Sequence, residues 1–344
     1  MTDTELPRLT ADVPGCGGAF KLVPDDFEVE EVPAYLPSGE GEHLYLWLEK
    51  RGRDTREVVR ALAAALGVSE DDIGVAGMKD RQAVTRQLLS VPARAEPKVA
   101  DFALDGVRVL WTKRHGNKLR TGHLRGNRFR LRLRDVRDVG AARETFSRLV
   151  ERGLPNYFGE QRFGRAGDNA DLGRLLVLGQ RLPKRPDRFQ RKLYLSAFQS
   201  RLFNRALVER LRAGTLATAL RGDVLRKEET GGLFVCEAPE VDGPRVAAFE
   251  VSPAGPLFGP KMPASAAEVA EAEARLLVAE GVTLEDFKRG GGETEGGRRA
   301  YRVRLGSPEL TPEPGEVGTD VWLSFELPRG SYATEVLHEL LKDG

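Results

Sequence analysis

The chain has 344 residues, 40% of them hydrophobic, which suffices for one large or two ordinary domains with a proper core. Its 53 Lys plus Arg balance 52 Asp plus Glu, for a net charge of +1, so composition does not announce a nucleic-acid partner and any basic surface has to be local. An acidic start at Asp3, Glu5 and Asp12 and the absence of any long apolar run exclude a secretory signal and a bilayer crossing, leaving a soluble, cytoplasmic protein as the expectation.

Phe27 to Val32 shows partial alternation and reads as a strand. Leu44, Leu46 and Leu48 alternate with Tyr45 and Trp47, a clearer strand. A helix follows, capped by Asp54 with Glu57 three residues on, carrying Val58, Leu62 and Leu66 on one face and stopped by Gly67. Ile73 to Met78 reads as a short buried strand, completing a unit of crossover length with Asp80 just beyond its end. Further strands are expected at Phe129–Leu133, Tyr301–Leu305 and Val321–Leu327. Helices are expected at Ala141–Arg152, Ser196–Arg212, Ala266–Glu280 with a Ser265/Glu268 capping box, and Thr334–Lys342. Two stretches read as boundaries. Arg181–Lys192 has Pro183, Pro186 and six basic residues against one acid, and Lys288–Arg299 is rich in glycine and reads as flexible.

Cys16 and Cys236 stand far apart, which argues against a disulfide scaffold, and the four histidines form no His-x-x-x-His pair. No metal and no cofactor are expected. The strongest local feature is Thr112–Arg134, with nine Lys or Arg and no acid. Lys113, Arg114, Lys118, Arg120 and Arg125 fall in a loop, while Arg128, Arg130, Arg132 and Arg134 alternate with Phe129, Leu131 and Leu133 on a strand. Such a row can neutralise phosphates, or it can be a solvated face of surface ion pairs.

The run Gly74 to Thr85 has neither the phosphate cradle of a P-loop nor a dinucleotide turn; it presents the Asp80 carboxylate between Lys79 and Arg81. Neighbouring positive charge favours an ionised carboxylate, as a nucleophile or base requires, with Lys79 taken as the nearer partner. Alone, an aspartate there is more often a turn or cap residue.

Ala76 to Gln87, with Ala-Gly-Met-Lys-Asp-Arg-Gln-Ala-Val-Thr-Arg-Gln, closely resembles the signature of the TruD family of tRNA pseudouridine synthases. Arg114-His115, Lys118 to Arg120 and Gly126 to Phe129 resemble a second motif of that family. Asn156-Tyr-Phe-Gly-Glu-Gln-Arg-Phe-Gly164 is a specific third. Leu195 to Ser200 with Leu202 to Asn204, and Leu327 to Thr334, resemble a fourth and a fifth.

That resemblance implies an α/β (α+β) protein. Its catalytic domain, residues 1–153 with 300–344, would have a mixed, largely antiparallel sheet flanked by helices; an inserted α/β domain would span 154–299, with RNA received in a cleft between the two. The strands at Tyr301–Leu305 and Val321–Leu327 would return to the catalytic sheet. The activity implied is isomerisation of a uridine in tRNA, by resemblance uridine 13, to pseudouridine. Asp80 would be the catalytic carboxylate, acting on C1′, on C6 or on a ribose proton. Phe27, Lys79, Asn127, Phe129 and Tyr332 would hold the extruded nucleotide; where Tyr332 stands the family more often has Phe. For the aromatic residues the plain alternative is core packing, and for Asn127 a turn. The Asn156 to Gly164 motif fits a hinge as well as an RNA contact. tRNA is the expected partner and a monomer the expected state, since nothing resembles a dimerisation helix. Two rivals stand beside this reading. One is a non-catalytic RNA-binding protein or tRNA chaperone of the same fold; the other is a glycosidase or nucleosidase in which Glu28, Glu30 or Glu31 approaches Asp80.

Overall fold

A computed structural model describes residues 6–342, so Asp3 and Glu5 of the acidic start lie outside the described residues. The chain divides into two compact units. One, the Asp80 unit, comprises residues 15–144 and 305–330 and resumes at Leu340; the other, the Tyr332 unit, comprises the described residues up to Pro14 together with 145–304 and 331–339.

Strand alternation builds the Asp80 unit. Its strands β1 (Phe27–Pro33), β2 (His43–Arg51), β3 (Val84–Pro92), β4 (Val107–His115), β5 (Leu124–Val136), β6 (Gly306–Pro314) and β7 (Thr319–Pro328) lie in the order β6-β7-β5-β1-β3-β2-β4. Every neighbouring pair is antiparallel except β1 and β3. Short strands at Ala19–Phe20 and Gly74–Val75 attach to β5 and β3. Helix α1 (Thr55–Leu66) starts and stops where local chemistry dictates. Asp54 accepts from the Glu57 amide, and Gly67 takes the left-handed conformation that spares a Cβ clash. Val58, Leu62 and Leu66 then pack on Leu44, Leu46 and Leu48 of β2 and on Leu89 and Val91 of β3. Because β2 and Gly74–Val75 are each antiparallel to β3, they run parallel to one another, so α1 is a crossover that leaves a strand's width between its ends.

The Tyr332 unit is built on the long helix α2 (Arg188–Arg212), whose Leu195, Phe198, Leu202 and Phe203 form a core with Phe258, Phe287 and Tyr301. A four-stranded antiparallel sheet, in the order Leu233–Val235, Val224–Lys227, Val251–Leu257, Gly297–Ala300, completes it.

Several expectations need correction. Helix α2 begins at Arg188, not Ser196, because Asp187 caps it. The helix Ala267–Ala279 has no side-chain cap, and Ser265 instead donates to Glu273 at 2.8 Å. The glycine-rich stretch is not a loose linker: it forms 3₁₀ turns at Glu285–Glu293 and the sheet strand Gly297–Ala300. Finally, Arg302–Val303 pairs with Leu154–Pro155 inside the Tyr332 unit; the strand that returns to the large sheet ahead of β7 is β6.

Candidate active site

Asp80 sits in the turn between Gly74–Val75 and β3. The backbone of that turn is held from several directions. Lys50, at the end of β2 and only 2% exposed, donates to the carbonyls of Arg53 at 2.6 Å, Asp80 at 2.9 Å and Lys79 at 3.3 Å. An ammonium has three protons, and here each has a carbonyl. Burial pushes the Lys50 amine down to about 8. Thr55, the first residue of α1, accepts from the Lys79 amide at 3.0 Å and donates to Gln87 at 3.0 Å. The Lys79 ammonium turns inward to a 2.9 Å ion pair with Glu31, and both side chains are buried. Burial raises the Glu31 carboxyl, and Lys79 opposes that rise. Arg81 donates to the Gly52 carbonyl at 3.2 Å.

A firmly held backbone thus presents an exposed side chain. The Asp80 carboxylate is 55% exposed and pairs at 3.3 Å with Lys21, not with Lys79 as expected. Lys21 follows the strand Ala19–Phe20 with a left-handed φ of 62°, a conformation costly for a residue with a Cβ. Its ammonium also lies 4.9 Å from the centre of the Phe27 ring, so one cation bridges the carboxylate and an aromatic face. Phe27 stacks parallel to Phe129 at 6.2 Å, and Phe129 contacts Phe325 at 5.6 Å, so Phe129 stands between the other two rings. Asn127 is not in a turn. It lies within β5 opposite Glu31 and Leu327, and its Oδ1 is buried with no hydrogen-bond partner among the described residues. Gly126 before it allows β5 to approach β7, since a Cβ there would meet the Leu327 carbonyl oxygen at 2.1 Å.

The alternation of β1 and β5 puts Phe27, Val29, Glu31, Asn127 and Phe129 on one face of the sheet and the charged residues between them on the other. On that second face the arginine row is satisfied by acids from neighbouring strands and turns. Arg128 pairs with Glu30 and Glu326, Arg130 with Glu28, Arg132 with Asp320 and Arg134 with Asp26. Arg130 also lies over Trp322 at 3.8 Å. The row is therefore a set of ion pairs, and its reading as a phosphate-binding face is corrected. The rest of the basic stretch differs: Lys113 near the end of β4 and Arg125 at the start of β5, both on strands where a loop was expected, and Arg120 in the loop between them are exposed and have no carboxylate partner among the described residues. The loop carrying Arg120 is fastened beside the Asp80 turn, with Gly122 donating to the Ala76 carbonyl at 2.8 Å and the Leu119 amide to Ser90 at 2.9 Å. Glu28 and Glu30 are held by these arginines and Glu31 by Lys79, so the paired-carboxylate arrangement of a glycosidase does not form. Among the described residues there is no metal-binding cluster, and no helix is long and apolar enough to cross a membrane.

In the Tyr332 unit the Asn156 to Gly164 motif begins with three buried residues, Asn156–Phe158, held by polar contacts, and goes on to the exposed Glu160 and Gln161. Asn156 donates to Ala300 O at 2.9 Å and accepts from Arg299 at 2.6 Å and from Ser331 at 3.1 Å. Asn204 of α2 holds the Phe158 amide and carbonyl, each at 2.9 Å. Arg299 lies over the Phe158 ring at 4.1 Å, and burial lowers its guanidinium to about 10. Glu335 nearby is pushed up to about 7 by burial and by Glu339, with Arg299 opposing. Tyr332 is partly buried against the core of this unit.

The sequence model of the family described as tRNA pseudouridine synthase D (TruD) matches residues 4–182 and 182–340. The chain belongs to the TruD family. A tRNA pseudouridine synthase D of Anaeromyxobacter dehalogenans is 57% identical over 98% of this chain and 97% of that protein. The protein of the same name from Thermus thermophilus is 44% identical over 98% of this chain and 92% of its own length. A crystal structure of a Methanosarcina mazei protein under the TruD designation superposes with a TM-score of 0.80 at 24% identity, covering 98% of this chain and 96% of that one, a likeness of fold. The mixed α+β architecture read from the TruD motifs is thereby shown.

Two residues around Asp80 escaped the sequence reading. Lys21 carries no local signal, because its link to Asp80 spans 59 positions. Lys50 had one: it continues the even-numbered positions of Leu44, Leu46 and Leu48 that face the core, and a charge at a core position demands partners.

Proposed function

We propose that this chain is a tRNA pseudouridine synthase that isomerises a uridine, by family likeness uridine 13, with Asp80 as the catalytic carboxylate and the Asp80 unit as the catalytic domain. The reading is carried by one observation: a solvent-accessible carboxylate on a turn whose backbone is pinned by Lys50, Thr55 and the buried Lys79–Glu31 pair. Positional restraint of this kind is what a reacting group needs.

In the reaction the N1–C1′ bond of the nucleotide breaks, the uracil turns, and C5 bonds to C1′. The proton that C5 carried is lost and N1 gains one, so atoms and electrons balance without an oxidant. Asp80 attacks C1′ or C6, or removes a ribose proton. The target nucleotide leaves its stack to reach the side chain, and the Phe27 face beside Lys21 offers its base a place to lie. Phe129 and Phe325 brace that ring from behind. Lys79 acts by fixing the turn through Glu31, and the unpartnered Asn127 Oδ1 is an acceptor available to a donor on the substrate. Lys113, Arg120 and Arg125 meet RNA phosphates.

Incubation with unmodified tRNA transcripts, followed by single-nucleotide mapping of pseudouridine, tests the reading. Wild-type protein is expected to form it at position 13, and Asp80→Asn to form none while binding tRNA within a few fold of wild type. Wild-type protein that binds tRNA yet modifies none would favour a chaperone of the same fold, and release of free uracil would favour a nucleosidase.

A further inference from the structure

The sheet arginines are consumed by carboxylates, which makes cations without partners conspicuous. Such cations gather in residues 181–192 of the Tyr332 unit. Arg181, Lys184, Arg185, Arg188 and Lys192 are all exposed, and none has an ion-pair partner among the described residues. Of the basic residues in this stretch only Arg191 is engaged, by Glu293 at 3.3 Å. Asp187, the single acid, is spent as the cap of α2, accepting from the Gln190 amide at 2.7 Å.

This arrangement works against the isolated fold. Arg188 and Lys192 are like charges one helical turn apart, and both lie at the end of α2 where the aligned peptide dipoles already present positive charge. The first turn contains no acid to relieve them. Between them projects Phe189, 72% exposed, whereas Leu193 and Tyr194 further along the helix are half-buried and Leu195 lies in the core. Pro183 and Pro186 restrict the backbone of the approach, so the cations are held out on a stiff segment. A polyanion with accessible aromatic faces would relieve the charge and cover the ring together; single-stranded RNA has both. An anionic membrane would satisfy the charge, yet one phenylalanine is not the apolar face that interfacial binding requires.

We propose that residues 181–192 form a docking strip for RNA, in which Arg181, Lys184, Arg185, Arg188 and Lys192 contact backbone phosphates and Phe189 stacks on an unpaired base. The strip deepens the reading of this chain as a tRNA-modifying enzyme, and it rests on that reading for the identity of the RNA.

The test measures binding of an unmodified tRNA transcript by fluorescence anisotropy across a salt series. It uses wild-type protein, a variant with Lys184, Arg185, Arg188 and Lys192 changed to Gln, and Phe189→Ala. Each phosphate that is no longer neutralised lowers the slope of log affinity against log salt by about 0.7 to 0.9, so the fourfold variant should reduce the slope by about 3. Phe189→Ala should weaken binding about tenfold with the slope unchanged, as expected when a base is deprived of its stacking partner. An unaltered slope and affinity in the fourfold variant, with its thermal transition intact, would overturn the strip while leaving the proposed activity standing. Loss of binding to vesicles of phosphatidylcholine with phosphatidylserine, with tRNA binding unmoved, would overturn it in favour of a membrane surface. Failure of wild-type protein to modify any tRNA is a separate result that bears on the activity alone, since the slope is read without turnover.

Discussion

Lys50→Met would cut the clamp behind Asp80 while keeping the side chain's length and most of its packing. Three bonds from a charged donor to carbonyls are removed, worth together about 5 kcal/mol if each contributes about 1.5 to 2. Against this, burial lowers the amine from 10.5 to about 8, so the fold disfavours the charged group by about 3 kcal/mol, and methionine removes that penalty. The net loss of stability is then only ~2 kcal/mol, while in the role proposed for Asp80 a turn free to shift by about 1 Å should lose on the order of 100-fold in rate. The effects of pH separate the two contributions. Above about 8 the folded Lys50 loses a proton that the unfolded chain keeps until 10.5, so this group's contribution to stability rises with pH in that window. The neutral amine, however, has only two protons for three carbonyls, so the rate should fall over the same range. The assay is single-turnover pseudouridine formation with enzyme in excess of unmodified tRNA, beside tRNA binding and urea unfolding at each pH. A Lys50→Met rate within twofold of wild type would refute the reasoning, as would an alkaline loss of rate that the variant shows unchanged.

Glu31→Gln should destabilise the protein by about 3 to 5 kcal/mol in urea unfolding, because it leaves the Lys79 ammonium buried without its charge partner. A loss below 1 kcal/mol would mean that the pair does not hold the turn. Glu335 titrates near 7 in the fold, above its ordinary 4.5, so its contribution to stability is complete below 4.5 and is lost as pH rises through 7. Glu335→Gln should flatten the pH dependence of the thermal transition between about 4.5 and 7 and raise that transition at pH 8. An unchanged pH profile would refute this assignment.

What the sequence made legible was local. Asp54 and Gly67 bound α1 through contacts within a few residues, and the alternation at Leu44 to Leu48 needs only neighbours to be read. The Ala76 to Gln87 motif drew attention to the turn whose backbone Lys50 and Thr55 hold. What it left hidden lies across the sheet. The arginines of β5 looked unaccompanied because their acids stand on β1, on β7 and in the turn before β1, up to 198 positions away. Lys79 was taken for the partner of Asp80 because the two are adjacent, yet successive side chains on an extended chain diverge, and Lys79 turns to Glu31 while Lys21 arrives from elsewhere. The early start of α2 was masked by prolines and by cations that a helix's first turn does not favour.

The interleaving of the two units along the chain governs the order in which the molecule can be made. Strand β5, which holds Asn127 and Phe129, lies between β1 and β7, and β7 is translated almost two hundred residues after it. Until then β5 has an unsatisfied edge, open to mispairing or to chaperones. Pairings so distant in sequence close slowly. A ribosome-bound nascent chain ending before residue 319 would therefore carry Asp80 and its clamp but lack the strand that completes the wall behind Phe129, which is in place only once Thr319–Pro328 has been made.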